Sequence, residues 1–127
     1  MYYRITILGR LDGANEYINA CRVSSHFANK MKKNNQKIIS AYIRNALGNR
    51  KISTPIHINY SWYEKTAPNG KNRDIDNIAF SKKFIQDSLV DLGYLEDDGW
   101  VQIYSFSDNF YIDNENPRIE IEIIELD

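Results

Sequence analysis

Strict two-residue alternation near both ends of the chain is the feature that most limits its possible folds. Every second side chain in each run is apolar, and Gly9 ends the first run. These inward positions are Tyr3, Ile5 and Ile7 in the first run and Ile119, Ile121 and Ile123 in the last. A period of two predicts β-strands with one buried face and one wet face. The chain must therefore build a sheet from segments that are far apart in sequence.

The middle of the chain predicts two more strands and two main helices. A second alternating run, Pro55 to Tyr63, is typical of a strand, and a third strand is predicted around Trp100, Val101, Ile103, Tyr104 and Phe106. One helical pattern extends from Ser24 or Ser25 to about Leu47, with Gly48 as its stop. Its predicted apolar stripe is Phe27, Met31, Ile38, Ile39, Tyr42, Ile43 and Leu47.

The second helical pattern runs from Asn77 to Leu92, with Asp76 or Asn77 as N-cap and Gly93 just past its end. A short helix is also predicted near Asn15 to Ile18, and a polar connection through Asp108 before the last strand. We therefore predict one compact α+β domain over residues 1–127. Its mixed sheet has about four strands and packs against the two main helices.

Composition bounds the class of protein. The single cysteine, Cys21, cannot form an internal disulfide, and no signal-peptide anatomy or membrane-length apolar run is visible. We expect a cytoplasmic protein without a membrane partner. The net charge of −1 hides a division, because residues 22–83 carry 13 Lys or Arg against 3 acids, whereas residues 84–127 carry 1 against 12.

The basic residues lie mainly on the polar side of the first long helix. This side, which includes Arg44, is either an ordinary solvated face or, together with Arg50 and Lys51, a surface for nucleic-acid phosphates. The pattern alone leaves both interpretations open. The predicted DNA-binding residues are Lys30, Lys32, Lys33, Lys37, Lys71 and Arg73.

Two acidic clusters stand at the two ends of the second main helix. Asp74 and Asp76 precede it, and Asp97 and Asp98 follow the reversal at Gly93. Carboxylates held together repel one another, and a hard divalent cation with oxygen ligands is the usual compensation. No Cys or His cluster favours zinc, so we predict Mg²⁺, with Mn²⁺ able to substitute. Each cluster alone is also typical of a helix cap or a solvated turn.

A lysine completes this predicted metal site for phosphodiester chemistry. On a continuous helical wheel, Lys83 falls on the same side as Asp76, whereas Lys82 falls near the apolar stripe and is expected at the core edge. Of the two adjacent lysines, the wheel therefore favours Lys83 as the cation beside the carboxylates. From these residues we predict a metal-dependent enzyme that acts on a phosphate-bearing substrate, and nothing more specific.

The order Arg73 to Asn77, Lys83, Asp87 with Leu89, and Gly93 to Asp98 resembles the signature of the RusA family of Holliday junction resolvases, in its phage and prophage branch. The resemblance implies a Mg²⁺-dependent endodeoxyribonuclease that acts as a homodimer and makes paired nicks across four-way DNA junctions in recombination and repair. By the same resemblance Asp74, Asp76 and Asp98 match the metal-binding catalytic carboxylates, and Lys83 the catalytic lysine. Asp97 either binds the ion or supports Asp98.

One departure from the family pattern and two alternative functions accompany this resemblance. The segment between Asn77 and Lys83 is longer than in the best-known branch, which keeps Lys82 open as the catalytic lysine, although the wheel and Asp87 favour Lys83. One alternative function is a DNA-binding protein of the same fold, catalytically inactive or not specific for junctions, in phage recombination or replication. The other is an interaction protein whose acidic half docks a basic partner.

Overall fold

The computed structural model describes residues 1–126, which form one mixed sheet packed against helices. The strands are β1 (Tyr2–Leu8), β2 (Ile56–Glu64), β3 (Ile103–Ile112) and β4 (Arg118–Glu125). The helices are α1 (Ala14–Val23), α2 (Ser25–Leu47), the single-turn α3 (Ile75–Ala79) and α4 (Lys82–Asp91). The predicted α+β class and the mixed sheet of four strands are confirmed. Three full-length helices, rather than two, accompany the sheet.

The sheet order is β1-β4-β2-β3, so the first and last strands of the chain are neighbours. β4 is antiparallel to both β1 and β2, whereas β2 and β3 run parallel. The inward residues alternate as predicted: Ile5 is 1 % exposed and Ile121 is 0 % exposed. Because β4 lies between two strands, it holds the two ends of the chain in one hydrophobic core.

The buried face of α2 differs from the predicted stripe. Phe27 and Ile38 are about half exposed, whereas Ala28 and Asn35 are buried. Asn35 tolerates burial because its amide donates to Asp12 Oδ2 at 2.7 Å and its side-chain oxygen accepts the Asp12 backbone N–H at 3.1 Å. The helix is rotated toward this polar contact with the loop after β1. The predicted N-cap at Ser24 is confirmed, since its hydroxyl accepts the Phe27 N–H at 3.0 Å.

The predicted continuous helix from Asn77 to Leu92 is two helices. It begins earlier than predicted, with Asp74 rather than Asp76 or Asn77 at the N-cap position. The break falls at Phe80 and Ser81, where the buried Ser81 hydroxyl donates to the Ile78 carbonyl at 2.9 Å. Such local side-chain bonds compete with the helical ladder. The wheel that placed Asp76 beside Lys83 therefore does not extend across this break.

The end of α4 agrees with the prediction for Gly93. Gly93 has φ +85°, its N–H binds the Val90 carbonyl at 2.9 Å, and the Tyr94 N–H binds the Leu89 carbonyl at 3.0 Å. These two bonds are a Schellman motif, which satisfies the last carbonyls of a helix. The motif reverses the chain into the acidic segment that holds Asp97 and Asp98.

β3 begins later and ends later than predicted. Trp100 and Val101 lie in the preceding turn and are 91 % and 76 % exposed. Asp108, expected in a polar connection, is inside the strand because Trp62 Nε1–H donates to its carboxylate at 2.8 Å and Lys82 pairs with it. Parallel pairing with β2 extends the strand through that polar residue to Ile112.

Gly13 and Asn77 hold α1 against the start of α3. Asn77 is buried, and its side-chain oxygen accepts the N–H of Asn15 in the first turn of α1 at 2.9 Å, replacing the cap that Gly13 has no side chain to make. A Cβ on Gly13 would lie 2.5 Å from that oxygen.

We expect Gly13→Ala to destabilise the protein by about 1–3 kcal/mol, because the overpacked contact must open. Urea unfolding measures the change. Gly99→Ala is the matched control, since its nearest contacts would be at 3.9 Å. Equal unfolding midpoints for the two variants would contradict this account of the contact.

Candidate active site

Lys83 and Asp98 meet at the start of α4. The Lys83 Nζ lies 3.1 Å from Asp98 Oδ2 and 3.2 Å from Asp87 Oδ1, and the lysine side chain is 57 % exposed. Asp87 sits one turn further along α4, so it is within reach of Lys83 by helix geometry. Asp98 arrives through the chain reversal at Gly93. Two of the four predicted catalytic residues are thus in direct contact.

Asp87 connects this pair to the long helix. Its Oδ2 lies 3.1 Å from the Nζ of Lys32 on α2, and its side chain is only 16 % exposed. Lys32, Asp87, Lys83 and Asp98 therefore form a chain of alternating charges across the α2–α4 contact. Lys32, which was predicted to bind DNA, lies at the far end of that chain. Asp87 fixes the direction in which the Lys83 side chain points.

The two aspartates keep Lys83 charged. Hydrogen bonds to Asp98 and then to Asp87 raise the pKa of Lys83 above its ordinary value, because both stabilise the protonated form. A raised lysine pKa lies far above neutral pH. Lys83 therefore offers a fixed ammonium group and hydrogen-bond donor rather than a general base.

Lys82 points in another direction and has another environment. It pairs with Asp108 on β3, lies 4.0 Å from the centroid of the Phe106 ring, and is 17 % exposed. The prediction that Lys82 sits at the core edge is confirmed. Because its ammonium group is already paired inside the α4–β3 contact, Lys83 is the more accessible of the two lysines.

The remaining predicted carboxylates are exposed. Asp74 occupies the N-cap position of α3 without a side-chain cap bond, and Asp76 accepts the N–H of Asn77 at 2.9 Å. Asp97 accepts the backbone N–H of Asp98 at 2.8 Å, and both of its predicted roles, ligand of the ion and support for Asp98, stay predictions. Exposed carboxylates with few hydrogen bonds keep oxygen lone pairs free for a ligand.

Within residues 1–126, no group of three or more His, Cys, Asp and Glu side chains lies close enough to hold a metal ion. The three-carboxylate site thus stays a prediction. The donor chemistry nevertheless fits Mg²⁺, which is usually held by one or two carboxylates together with substrate phosphates rather than by a complete protein cage.

Arg73 forms an ion pair with a buried acidic residue that was not among the predicted site residues. Its guanidinium binds Glu64 on β2 at 2.8 Å and 2.9 Å and also donates to the Leu11 carbonyl at 3.1 Å. Glu64 is 3 % exposed and lies on the same buried face of β2 as Trp62. Its place in the alternating pattern of that strand was the sequence signal that could have predicted its burial. This bidentate pair fixes the segment that leads into Asp74. The predicted DNA contact of Arg73 finds no support in this placement.

The other predicted DNA-binding lysines are exposed. Among residues 1–126, none of them forms an ion pair, and three lie on the outer face of α2. They are Lys30, Lys33, Lys37 and, in the loop before α3, Lys71. No helix in this part of the chain has the length and apolar character needed to cross a membrane.

The Lys83 ammonium group is exposed, is held by Asp98 and Asp87, and lies next to the basic helix α2, which suits a phosphate-bearing substrate. Residues 14–124 match the family described as Endodeoxyribonuclease RusA. The chain therefore belongs to the RusA endodeoxyribonuclease family, which confirms the resemblance carried by its motifs. Comparison with curated proteins gives no match. Assignment to the phage and prophage branch stays a prediction.

Proposed function

We propose that this protein is a homodimeric, Mg²⁺-dependent endonuclease that resolves four-way DNA junctions by paired nicks. The observation that supports this most is the contact of Lys83 with Asp98 and Asp87 in a chain of the RusA endodeoxyribonuclease family. A fixed cation beside carboxylates matches the charge that develops when a phosphodiester is attacked.

Each side chain has a definite part in this proposal. Lys83 donates hydrogen bonds to a phosphate oxygen and stabilises the added negative charge, and Asp87 keeps its side chain directed there. Asp74, Asp76 and Asp98 would hold the cation, and Asp97 supports Asp98 through its backbone N–H. A bound Mg²⁺ would supply an activated water and neutralise charge on the phosphate.

The exposed apolar residues near β3 support a homodimer. β3 is an edge strand, and several large apolar side chains on it or in the preceding turn are half or more exposed. They are Trp100, Val101, Tyr104 and Phe106. An unpaired edge flanked by apolar surface is a ready site for pairing with a second strand. A two-fold dimer would offer one site to each of two opposed strands of a junction.

The test is nicking of a labelled synthetic four-way junction, with a linear duplex of the same sequence as control. We expect Mg²⁺-dependent cuts at symmetric positions in the junction and much slower cutting of the duplex. Junction binding without any cutting, in Mg²⁺ and in Mn²⁺, would leave the DNA-binding protein without catalysis as the better account. In that case neither ion should raise the melting temperature appreciably.

Substitutions of Lys82 and Lys83 distinguish a role in catalysis from a role in stability. We expect Lys83→Met to lower the nicking rate by about 10²–10³-fold with little change in unfolding, because its side chain is exposed. Lys82→Met should lower stability by about 2 kcal/mol, because it leaves Asp108 charged and largely buried, while the rate per folded molecule is nearly kept. Single-turnover nicking and urea unfolding of both variants measure this, and the opposite pattern would assign catalysis to Lys82.

A further inference from the structure

A basic pocket of about 470 Å³ lies where the carboxyl ends of α2 and α4 meet. We call it the basic pocket; it is lined by Arg44, Arg50, Lys51, Tyr94 and the backbone around Gly48 and Gly93. All three cationic side chains belong to exposed residues, and no acidic residue lines the pocket. A concave surface with only positive side chains attracts anions.

The charges of the basic pocket are not neutralised within the described residues 1–126. Four arginines elsewhere in these residues each form an ion pair: Arg4, Arg10, Arg73 and Arg118. By contrast, the three cations of the pocket form neither an ion pair nor a side-chain hydrogen bond within residues 1–126. Glu125 keeps its negative charge nearby: its Oε2 accepts the Tyr3 hydroxyl at 3.2 Å and the Ser53 N–H at 2.6 Å, and it forms no ion pair with a cation of the pocket.

Helix capping does not account for these cations. Cations often collect at helix carboxyl ends because they compensate unpaired carbonyls. Here backbone N–H groups already bind those carbonyls: Gly48 binds Arg44 at 2.8 Å, Arg50 binds Leu47 at 3.0 Å, and the Schellman motif closes α4. The Tyr94 hydroxyl also donates to the Gly48 carbonyl, which ties the two helix ends together and fixes one wall of the pocket.

The position of the pocket relates it to the candidate active site. It lies at the opposite end of α4 from Lys83, a rise of about 14 Å along the helix. A DNA strand that contacts Lys83 can therefore reach the pocket within a few nucleotides. On α2, Lys30, Lys37 and Arg44 recur every seven residues and stay within about 40° of one line. This line of cations on the outer face of α2 ends at the basic pocket.

We propose that the basic pocket binds one backbone phosphate of the DNA, a few nucleotides from the cleaved bond. The inference rests on the proposed function, because it takes DNA as the substrate. The phosphate would lie between the Arg50 and Lys51 side chains, with Arg44 at the α2 side. Two arginines and a lysine that lack carboxylate partners suit a phosphodiester, which accepts several charge-assisted hydrogen bonds at once.

The first test is the salt dependence of junction binding by Arg50→Gln/Lys51→Gln, without divalent cation. We expect roughly tenfold weaker binding and a slope of log K against log salt that is smaller by about 0.9, the value for one lost phosphate contact. The control Arg22→Gln/Lys65→Gln removes the same charge from exposed positions outside the pocket. Its slope should stay close to that of the wild type.

The second test replaces single junction phosphates by uncharged methylphosphonates, one at a time, at each of the nearest positions on both sides of the cut. One such position should weaken wild-type binding but should not weaken binding by the pocket variant any further, because the contact is already lost. Additive losses at every position, with an unchanged salt slope, would overturn the inference.

Failure of this inference is distinguishable from failure of the proposed function. Wild type that nicks junctions, with pocket variants that bind like the control, overturns the basic pocket alone. Wild type that binds but never nicks overturns the nuclease proposal, while a reduced slope in the pocket variant still supports the phosphate site. Wild type that does not bind junctions overturns both.

Discussion

Asp76→Asn is expected to lower the rate of junction nicking by at least about 10³-fold, equivalent to about 4 kcal/mol of activation free energy, with folding and junction binding retained. Asn preserves the shape of the side chain and removes its charge. Its carbonyl oxygen can still accept the Asn77 N–H that Asp76 accepts at 2.9 Å. Single-turnover nicking in Mg²⁺ measures the rate, and a binding assay without metal measures affinity.

Asp91→Asn is the matched control for this variant. Asp91 is an exposed acid at the end of α4 that forms no ion pair within residues 1–126. We expect its nicking rate to stay within about twofold of the wild type, since remote surface changes are small. An Asp76→Asn rate within tenfold of the wild type would remove Asp76 from the proposed catalytic set.

Arg73→Ala is expected to cost about 3 kcal/mol of unfolding free energy, because it leaves the buried Glu64 carboxylate without its bidentate partner. Arg10, 3.5 Å from Glu64, is 42 % exposed and compensates only part of the loss. Urea unfolding at neutral pH measures the change.

Two further variants test whether this loss of unfolding free energy comes from the unpaired Glu64 carboxylate. Arg4→Ala removes the partner of Glu122 in an exposed pair at 3.3 Å and should cost less than about 1 kcal/mol. Adding Glu64→Leu to Arg73→Ala should restore part of the stability, since an apolar side chain leaves no uncompensated charge. If Arg73→Ala and Arg4→Ala unfold alike, the Glu64 pair is not what anchors the entry to α3.

The strands could be predicted because each buries one face of a single sheet. Ile119, Ile121 and Ile123 face the core and the residues between them do not. Apolar residues therefore recur at every second position of this strand, and that period is visible in the sequence. β3 was predicted less well, because its parallel pairing with β2 includes Asp108, whose burial depends on Lys82 and Trp62 from other elements.

The helices show where local patterns end. The rotation of α2 follows from a contact between Asn35 and Asp12, which are distant in sequence, so no periodicity could reveal it. At the break between α3 and α4 the backbone hydrogen bonds span three residues, and the Ser81 hydroxyl also binds the Ile78 carbonyl. Serine is common enough in helices that its presence alone predicted no interruption.

The candidate site was predictable where it depends on sequence spacing. The reversal at Gly93 brings Asp98 back to Lys83. The contact of Lys32 with Asp87 was not predictable, because it joins two helices that are far apart in sequence. The Arg73–Glu64 pair spans only nine residues, and the inward position of Glu64 on β2 was the signal for it.

We propose that Asp76 of α3 and Asp98, which follows α4, share a cation when a phosphate is present. A crystal of the protein with junction DNA, soaked in Mn²⁺, tests it most directly through the anomalous signal of the metal. The account predicts a peak about 2.1 Å from carboxylate oxygens of Asp76 and Asp98, beside a phosphate that contacts Lys83. An ordered phosphate at Lys83 with no metal on either aspartate would contradict it.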